Sequence, residues 1–556
     1  MHRALTGLVA AALLTVTGSV AFAAPGVAAG PQVEINSQNP VTAEPPVSRP
    51  PTHSCTETLA SNFLSNDATT GAAQNFTGTL APPAGCSGPW NKVVLDWTTS
   101  VQGRQYDRSG SLDIGTTQVW FGTTYEPDPA GITYHFAKDI TEYSSLLRAA
   151  QPFTGGIVNY TSSTYTGNYD QTVTITYYQA DRAHPAPAEP DTILGLGSPN
   201  LDPSTPVAHL TASNLPRNID RAYLEVYIKG NGCDEQWFTD VPNDVAAKYP
   251  SAQMCGSGPY REVDAAIDGQ PAGVTQYFPY IYTGGIVPTL WRPIPAVGTF
   301  DMSPELLDVT PFVGDLVNGT SHDIALSVPD LGDVWNLSAN LLLYTDAHAT
   351  STSGAMTSDG LDATTVTNTS ETAGANNATT ATVTSGRDWS ISGWVRTSAG
   401  VVGTTVTQHV AYRNTDTVSS GGFSQHVVET DAGWTRSVSS GGFGLPRTDL
   451  HTWSYPITIT ENAQVTDDNN FTLSGSVDMT RTLSDTATNA WGLPTITAST
   501  DEVSANGNDQ RANGQTVAAD GNGWQRFVGD DDTGRCYSHY IAADHGYVTT
   551  EHVNRC

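Results

Sequence analysis

A weak internal repeat of strand-forming segments constrains the fold of this chain most strongly. The first copy contains "VVLDWTTSV" and later "VTITYY", and the second contains "AYLEVYIKG" and later "NLLLYT". Such runs are short, rich in Val, Ile, Thr and Tyr, and bounded by Gly, Pro, Asn and Asp, which is typical of β-strands. Asp139 precedes Val173 by 34 residues, and Asp308 precedes Leu341 by 33. The repeat therefore predicts two copies of one β domain.

Many short strands with regularly spaced turns are typical of β-sandwiches and jelly rolls. Helical periodicity is nearly absent, although "DITEYSSLLRAA" predicts one or two helical turns, with Asp139 or Thr141 as the cap. We predict an all-β chain with two tandem jelly-roll-like antiparallel β-sandwich domains and a β-rich C-terminal module.

Changes in composition set the domain boundaries. A Pro-rich stretch with few large apolar residues predicts a mobile leader or an extended arm, and a run of Thr, Ser, Ala, Gly and Asn predicts a linker or a loose polar β region. The predicted segments are a signal peptide (1–29), a Pro-rich leader (30–52), the first jelly-roll-like domain (53–185), the second (186–347), a Thr/Ser/Gly-rich linker (348–384) and the C-terminal module (385–556).

The N-terminus has the pattern of a secretory signal. Arg3 precedes an apolar run from Leu5 to about Val20, and Ala21 and Ala23 form an A-x-A type cleavage site. The run is short for a membrane-spanning helix, and no later segment is long and apolar enough to cross a membrane. We therefore expect a secreted, extracellular, soluble protein, with an N-terminal membrane anchor as the alternative.

Charged residues are sparse, at 14%, and the formal net charge is −31. Nucleic-acid binding calls for clustered Lys and Arg, so this composition argues against nucleic acid as a partner. An acidic surface alone identifies no other partner.

The six cysteines fall into three sequence-local pairs: Cys55 with Cys86, Cys233 with Cys255, and Cys536 with Cys556. In an exported chain an even count predicts disulfides. Nearest-neighbour pairing is favoured because each pair brackets one local loop. The C-x-x-C and H-x-x-x-H spacings of zinc sites are absent, so no structural zinc is predicted.

Two acids occupy similar places in the two copies. Asp107 follows Leu95 by 12 residues, and Glu235 follows Leu224 by 11. If the segment around Glu235 is a strand, its neighbour Asp234 faces the other way, so only one of the two can face a shared site. Two β domains packed side by side form a cleft at their junction.

Each candidate also has a purely structural interpretation. Asp107 lies between arginines in "GRQYDRSG" and could form an ion pair that holds two strands together. The segment "CDEQWFTD" could line a sugar site, or it could be an exposed acidic loop fixed by Cys233. The Gly- and Pro-rich loop from Thr283 to Asp301 could form a pocket wall or simply connect two strands. No Ser/His/Asp arrangement, P-loop, dinucleotide fingerprint or EF-hand is present.

Several long motifs nevertheless resemble one family. Among them are "GRQYDRSGSLDIGTTQVWFGTTYEPDPAGITYHFAKDITEYSSLL", "RAYLEVYIKG", "DEQWFTDVPND", "GPYREVDAAIDGQPAG" and "YTGGIVPTLWRPIPAVGTFD". In order, from about Thr52 to Asp346, they resemble the peptide N-glycanase A family, and "GRCYSHY" resembles its C-terminal end.

The resemblance implies an amidase that hydrolyses the bond between the innermost N-acetylglucosamine and asparagine, with no cofactor and no metal. Asparagine becomes aspartate, and the released glycosylamine loses ammonia. The implied substrates are N-glycopeptides or denatured glycoproteins, including those with core α1,3-fucose. We expect a monomer that does not bind membranes.

A more distant resemblance to the F-type peptide N-glycanase suggests the catalytic residues. Its W-D-R motif matches "YDR" and implies Asp107, and its G-C-A-E-W motif resembles "GCDEQW" and implies Glu235, which leaves Asp234 as a solvent-facing or loop-fixing neighbour. A third F-type carboxylate falls near Ser162, where no acid stands, so that role is lost or is supplied by another group such as Glu126.

The remaining substrate-binding candidates have two expected roles. Arginines would fix Asp107 or polarise the carbonyl, and tryptophans would stack on the sugars of the chitobiose core. They are Arg104, Arg108, Arg261, Arg292, Trp120, Trp237 and Trp291. Two other functions stay open: a non-catalytic glycan-binding protein of the same family, and a secreted glycoside hydrolase with paired carboxylates.

Overall fold

The structure is a computed structural model that describes residues 36–127, 130–362, 365–444, 446–467, 469–488 and 493–554. Strand accounts for 57% of the structure and helix for 8%, as the all-β prediction requires. Residues 1–35 lie outside the described residues, and so does the predicted signal peptide.

The first sandwich contains eight strands in two antiparallel sheets, β1-β8-β3-β6 and β2-β7-β4-β5. This strand order is that of a jelly roll. Its core is rich in large aromatic side chains, including Trp90 and Trp97. The elements are β1 (Ser54–Leu64), β2 (Phe76–Leu80), β3 (Trp90–Val101), β4 (Ser109–Ile114), β5 (Thr117–Thr123), β6 (Ile132–Asp139), a 3-10 turn (Thr141–Tyr143), α1 (Ser144–Leu147), β7 (Gln151–Ile157) and β8 (Asp170–Gln179).

The second sandwich repeats this order. One sheet runs β17-β12-β15, with β9 and β10 both paired to β17, and the other runs β11-β16-β13-β14. The strands are β9 (Thr192–Gly197), β10 (Asn200–Leu201), β11 (Val207–Ala212), β12 (Ile219–Gly230), β13 (Val263–Ile267), β14 (Gln270–Thr275), β15 (Glu305–Asp308), β16 (His322–Ser327) and β17 (Trp335–Thr345). The helices are α2 (Asn243–Lys248), α3 (Val313–Leu316) and 3-10 turns at Gly232–Thr239, Pro250–Ala252, Pro288–Trp291 and Thr310–Phe312.

The two sandwiches correspond strand by strand, with β9, β11 to β17 in the places of β1 to β8. The predicted cap is wrong, since the N-cap of the turn at Thr141–Tyr143 is Ile140 and has no side-chain cap, but one hydrogen bond recurs in the two copies. The Asp139 side chain accepts the Thr141 N–H at 3.0 Å, and the Asp308 side chain accepts the Thr310 N–H at 3.0 Å, each at the entry to a short helix. The observed topology agrees with the internal repeat that the sequence indicates.

The C-terminal module is one antiparallel sheet of eleven strands, ordered β18-β20 and then consecutively to β28, with β19 also paired to β20. One face packs on the second sandwich, where the rings of Phe278 and Tyr455 lie 5.1 Å apart. The elements are β18 (Ser353–Asp359), β19 (Thr367–Ala373), a 3-10 turn (Ala375–Asn377), β20 (Thr379–Thr397), β21 (Gly400–Ser419), a 3-10 turn (Ser420–Gly422), β22 (Ser424–Gly441), β23 (Arg447–Asp467), β24 (Asn470–Thr488), β25 (Pro494–Ala512), β26 (Gln515–Asp530), β27 (Cys536–Asp544) and β28 (Tyr547–Asn554).

Two segments expected to lack regular packing are ordered. The predicted linker 348–384 contains β18, β19 and the start of β20, because its Thr-rich sequence pairs with a neighbouring strand. The part of the leader that the structure describes, 36–52, is an extended arm rather than a mobile segment. Ala43 is fully buried and donates its N–H to the Gln525 side chain at 2.7 Å, while Arg49 pairs with Asp96.

Two predicted disulfides are confirmed, Cys55–Cys86 and Cys233–Cys255. The predicted pairing of Cys536 with Cys556 lies outside the described residues, since Cys556 is not among them. Among the residues that the structure describes, no helix is both long and apolar enough to cross a membrane.

Candidate active site

Asp107 and Glu235 lie in equivalent connections of the two sandwiches. Asp107 is in the short connection 102–108 between β3 and β4, and Glu235 is in the long connection 231–262 between β12 and β13. Because β3 and β12 are equivalent strands of the repeat, the connections that follow them place both acids at the same end of their sandwiches. The sequence spacing therefore identified a true structural equivalence.

One face of strand β12 lies at the junction between the two sandwiches. Glu225 accepts a hydrogen bond from the Tyr143 hydroxyl of the first sandwich at 2.7 Å, and the Tyr143 and Tyr227 hydroxyls lie 3.0 Å apart. Two residues further along the same face, the Lys229 ammonium donates to the Ser109 hydroxyl at 3.2 Å. Alternation along the strand thus brings Lys229 to the end of the junction where the two acids lie.

Asp107 lies in irregular backbone, not in the strand geometry that its alternating neighbours indicate. Its Oδ2 accepts the backbone N–H of Gly284, from the second sandwich, at 2.8 Å. Burial raises the pKa of Asp107, and it is opposed by the Gly284 N–H and by the positive charges of Arg108, Lys229 and Arg292. The acid is therefore held in place by the opposite domain.

Glu235 lies on the 3-10 segment Gly232–Thr239, so the strand interpretation of "CDEQW" is wrong. Burial, and next the negative charge of Asp107, raise the pKa of Glu235 to about 8, while Lys229 opposes the rise. The two carboxyl groups therefore interact electrostatically, and their titrations depend on each other.

Two members of the site were missed from the sequence, Lys229 and Tyr282. Burial lowers the pKa of Lys229, and the charges of Glu235 and Asp107 oppose that change. The Lys229 ammonium lies 5.8 Å from the centre of the Tyr282 ring, and burial together with both acids raises the pKa of the Tyr282 hydroxyl. A lysine at the end of a strand, directly before the connection that carries Glu235, is the signal that points to Lys229.

Gly284 allows two acids to approach each other closely. A Cβ at this position would lie 2.7 Å from Glu126 Oε1 and 3.1 Å from Asp107 Oδ2, so both carboxylates surround the same small space. Glu126 in turn accepts a hydrogen bond from the Arg292 guanidinium at 2.9 Å, and that guanidinium also donates to the Thr283 carbonyl at 3.1 Å. Glu126 and Arg292 therefore belong to the site.

Asp234 is completely buried, which rules out a solvent-facing role, and it fixes the loop that carries Glu235. Its carboxylate accepts from the Arg261 guanidinium at 2.7 Å and from the Trp335 indole at 2.5 Å. Arg261 also pairs with Asp240 at 3.2 Å. Arg261 therefore supports the loop internally and does not contact Asp107 as the sequence suggested.

The three tryptophans predicted to stack on sugars are core residues. Trp120 and Trp237 are 2% exposed and Trp291 is 0% exposed. The Trp120 indole donates to the Phe300 carbonyl, and that of Trp291 to the Gly285 carbonyl. Their prediction as stacking surfaces is wrong, because large aromatic side chains in a sandwich fill the core first.

Tyrosines and arginines form the rim beside Asp107. The Arg108 guanidinium lies 3.6 Å from the centre of the Tyr106 ring, and Arg104 lies 5.5 Å from that of Tyr165. The Tyr106 and Tyr165 rings meet edge to face at 5.1 Å, and Tyr160 is 46% exposed. We call Tyr106, Tyr160 and Tyr165 the tyrosine rim.

The exposed turn around Ser162 follows the tyrosine rim. The Ser162 hydroxyl accepts the N–H of Thr164 and of Tyr165. The serine therefore shapes the turn that presents Tyr165, and Glu126 is the third acid that the structure brings to Asp107.

The described residues contain two groups whose potential metal-ligand atoms lie within 4.8 Å of one another, Asp520 with Asp544 and His545, and His53 with Cys55 and Cys86. The first is on the C-terminal sheet, and the cysteines of the second form a disulfide. Neither group includes a residue of the site around Asp107.

Comparison with known proteins agrees with the order of the motifs. The family model for peptide N-acetyl-beta-D-glucosaminyl asparaginase amidase A matches residues 45–361, and that for the PNGase A C-terminal domain matches residues 380–457. Peptide-N4-(N-acetyl-beta-glucosaminyl)asparagine amidase A from Prunus dulcis is 31% identical over 403 residues, covering 69% of this chain and 70% of the relative.

Among solved structures, PNGF-II has a TM-score of 0.38 at 13% identity and covers 52% of this chain and 66% of its own. PNGase F, a glycosylasparaginase from Flavobacterium meningosepticum, has a TM-score of 0.35 at 13% identity over 53% of this chain and 96% of its own. The match across 45–361 and the identity with the Prunus dulcis protein show that this chain belongs to the peptide N-acetyl-beta-D-glucosaminyl asparaginase amidase A family.

Proposed function

We propose that this protein hydrolyses the amide bond between N-acetylglucosamine and asparagine in N-glycopeptides and releases the intact glycan. The observation that carries the proposal is the meeting of Asp107 and Glu235 around Lys229, each acid supplied by one sandwich of a member of this amidase family.

Asp107 is the acid–base group. Burial raises the pKa of both acids, that of Glu235 to about 8, so the pair retains a proton near neutral pH. We assign this proton to Glu235, which leaves the Asp107 carboxylate free to act as the base. The Asp107 carboxylate accepts a proton from water as the water oxygen attacks the amide carbon. The same proton then passes to the leaving nitrogen as the C–N bond breaks, leaving aspartate and a glycosylamine. The glycosylamine loses ammonia in water.

The negative charge on the carbonyl oxygen in the transition state needs a fixed positive partner. Lys229 interacts electrostatically with both acids and is fixed at the domain junction by its hydrogen bond to Ser109, so its ammonium supplies positive charge without first being reorganised. Glu235, which holds a proton, can donate a hydrogen bond to a sugar hydroxyl or to the carbonyl oxygen.

The tyrosine rim replaces the tryptophans as the sugar-stacking surface. Tyrosine rings stack on the apolar faces of pyranose rings and also offer a hydroxyl. Tyr106 adjoins Asp107 in sequence, and Tyr165 contacts Tyr106, so a chitobiose unit on the rim would place its first sugar near the acid. Arg104 and Arg108 hold these rings in place from the protein side.

We extend the proposal to secretion, the range of glycans accepted and the oligomeric state. Residues 1–29 act as a signal peptide, and the protein is secreted, a setting in which the two disulfides persist. Glycans with core α1,3-fucose are accepted, and glycopeptides or denatured glycoproteins are the substrates, as the resemblance to the family implies. The protein acts as a monomer, because both halves of the candidate site come from one chain.

Mass spectrometry of a core-fucosylated N-glycopeptide in heavy-oxygen water tests the reaction. We expect the full glycan to be released and Asn to become Asp carrying one heavy oxygen. Asp107→Asn should lower the rate by about 10²–10⁴-fold. Asp478→Asn, at an exposed acid of the C-terminal sheet, is the matched control and should retain full activity.

Three other outcomes would contradict the proposal. Full activity in Asp107→Asn would remove Asp107 from catalysis. Glycan binding without Asn-to-Asp conversion would identify a non-catalytic glycan-binding protein. A sugar left on Asn would identify a glycoside hydrolase.

A further inference from the structure

A cavity of about 420 Å³ opens where the second sandwich meets the C-terminal sheet, and Glu142 of the first sandwich also lines it. Its aromatic lining consists of the half-buried Tyr223 and Tyr344 from the sandwich and the buried Trp389, Trp453 and Tyr455 from the sheet. Leu306, which is 54% exposed, also lines it. We call this space the sheet cavity.

The sheet cavity is distinct from the site around Asp107. Tyr223 and Lys229 lie on the same face of β12, six residues apart, which corresponds to about 20 Å along an extended strand. The buried contacts of Glu225 and Tyr227 with Tyr143 lie between them. The two sites therefore occupy opposite ends of one domain junction.

The charged groups of the sheet cavity are largely paired with each other. Arg447 pairs with Asp449 at 2.6 Å, and His451 pairs with Asp485 at 2.6 Å. Glu305 accepts a hydrogen bond from the Thr275 hydroxyl at 3.2 Å, and burial raises its pKa to about 7. Near neutral pH this carboxyl group is partly protonated, so it can both donate and accept hydrogen bonds.

Two acceptor atoms at the cavity have no hydrogen-bond partner among the described residues. They are Gln276 Oε1 and Asp449 Oδ1, and both atoms are buried. Gln276 is 3% exposed, and its amide nitrogen donates to the Tyr260 hydroxyl at 3.1 Å, which fixes the direction of the amide. Buried acceptors of this kind are normally satisfied, so these two atoms leave hydrogen-bonding capacity unused in the layer beneath the cavity wall.

We propose that the sheet cavity is a second carbohydrate-binding site, which takes a neutral oligosaccharide. The half-buried rings of Tyr223 and Tyr344 suit the apolar faces of sugar rings, and the carboxylates of the cavity wall suit hydroxyl donors. The acids Glu305, Asp308, Asp449 and Asp485 disfavour an anionic sugar, since an unpaired like charge is rejected.

This inference stands apart from the proposed amidase reaction, because the cavity can bind a free glycan without cleaving one. The test uses the full chain with Asp107→Asn, to prevent turnover, and α-mannotriose as the probe in calorimetric titration. We expect saturable binding, and at least tenfold weaker binding of a trisaccharide that ends in a carboxylate-bearing sugar.

Two variants locate the binding. Tyr344→Ala removes an aromatic wall, and Leu306→Trp fills the cavity from an exposed position without disturbing the core. Each should weaken α-mannotriose binding at least tenfold. Tyr547→Ala, at a tyrosine of β28 that is 52% exposed, is the matched control and should leave the affinity unchanged. Thermal unfolding of each variant establishes that the fold is intact.

Absence of α-mannotriose binding at millimolar concentration would overturn the inference. It would also be overturned if Tyr344→Ala and Leu306→Trp bound α-mannotriose as tightly as the Asp107→Asn chain without these changes. Displacement of the sugar by spermidine at lower concentration would assign the cavity to a cationic ligand instead. Failure of the wild-type chain to release glycan would contradict the proposed function and leave this binding result unaffected.

Discussion

The two sandwiches have the same strand order but differ in the connections that carry the candidate site. In the first copy, the connection with Asp107 spans only 102–108, and the one with Glu126 spans 124–131. In the second copy, the equivalent connections span 231–262 and 276–304 and carry Glu235 and Gly284. The long connections also reach back to the first sandwich, where the N–H of Thr123 donates to the Thr299 carbonyl at 2.9 Å.

The comparison shows how a symmetric scaffold supplies an asymmetric site. The short connections of the first sandwich need few supports, because the backbone is held at both ends by strands. The long connections of the second need internal supports of their own, which are the Cys233–Cys255 disulfide and the ion pairs of Arg261. Glu235 depends on those supports, whereas Asp107 depends on Gly284 from the other domain.

The neighbouring acids Asp234 and Glu235 give the largest expected contrast. Asp234→Asn should lower the free energy of unfolding by about 3–5 kcal/mol, because it leaves the buried Arg261 without its full charge partner. Chemical denaturation measures this loss. Glu235→Gln serves as the control and should not share it. Equal destabilisation by both substitutions would mean that Glu235 is also a structural residue.

The two disulfides should differ in their effect on activity. The double substitution Cys233→Ala with Cys255→Ala should cost about 3 kcal/mol of stability and also lower glycan release, since the loop carries Glu235. Cys55→Ala with Cys86→Ala should cost a similar free energy and leave the rate of the folded protein unchanged. Unfolding curves and rates at a temperature where both variants are folded separate the two effects, and equal loss of activity would contradict the distinction.

Gly284 links the two domains at the site. Gly284→Ala would place a methyl group 2.7 Å from Glu126 Oε1 and 3.1 Å from Asp107 Oδ2. A displacement of an ångström or less at a reacting group costs up to about 10²-fold, so we expect glycan release to fall by about 10–100-fold. Gly444→Ala, where an added Cβ meets no atom within 4 Å, is the control. A fully active Gly284→Ala variant would show that the carboxylates need not lie this close.

The pH dependence of stability gives the smallest expected effect. The pKa of Glu235 is raised in the folded state, so its contribution is fully present below the unfolded pKa and is lost as pH rises through about 8. Glu235→Gln should therefore flatten the decline in stability between about pH 5 and 8. Unfolding measured across this range in both proteins tests it, and parallel curves would contradict the raised pKa.

Much of the fold could be predicted because strands are local features. Alternation and turn residues identified β3, β8, β12 and β17, and their spacing identified the two copies. The Thr-rich segment 348–384 is predicted to be a linker or a loose polar β region, and its described residues include β18, β19 and the start of β20, because β18 and β19 find a pairing partner in β20. Composition cannot show whether a polar segment finds such a partner.

The candidate site was only partly predictable for the same reason. Asp107, Glu235, Glu126 and Arg292 are brought together as the sequence suggested, but Lys229 and Tyr282 were missed. The tryptophans were assigned to the wrong role, since residue type does not report burial. Strand alternation was the reason for choosing Glu235 over Asp234, but this segment is a 3-10 helix. The structure gives a different reason: the Asp234 carboxylate is already bound by Arg261 and Trp335.

The sequence by itself determined the β class, the twofold repeat, two local disulfides and the pair of equivalent acids, because each is written in short-range periodicity or in spacing. Only the tertiary structure decided which side chains share the site, which are buried, and where the carboxyl pKa values lie. Those properties depend on how the two sandwiches pack together, and on the water that this packing removes from Asp107, Lys229 and Glu235.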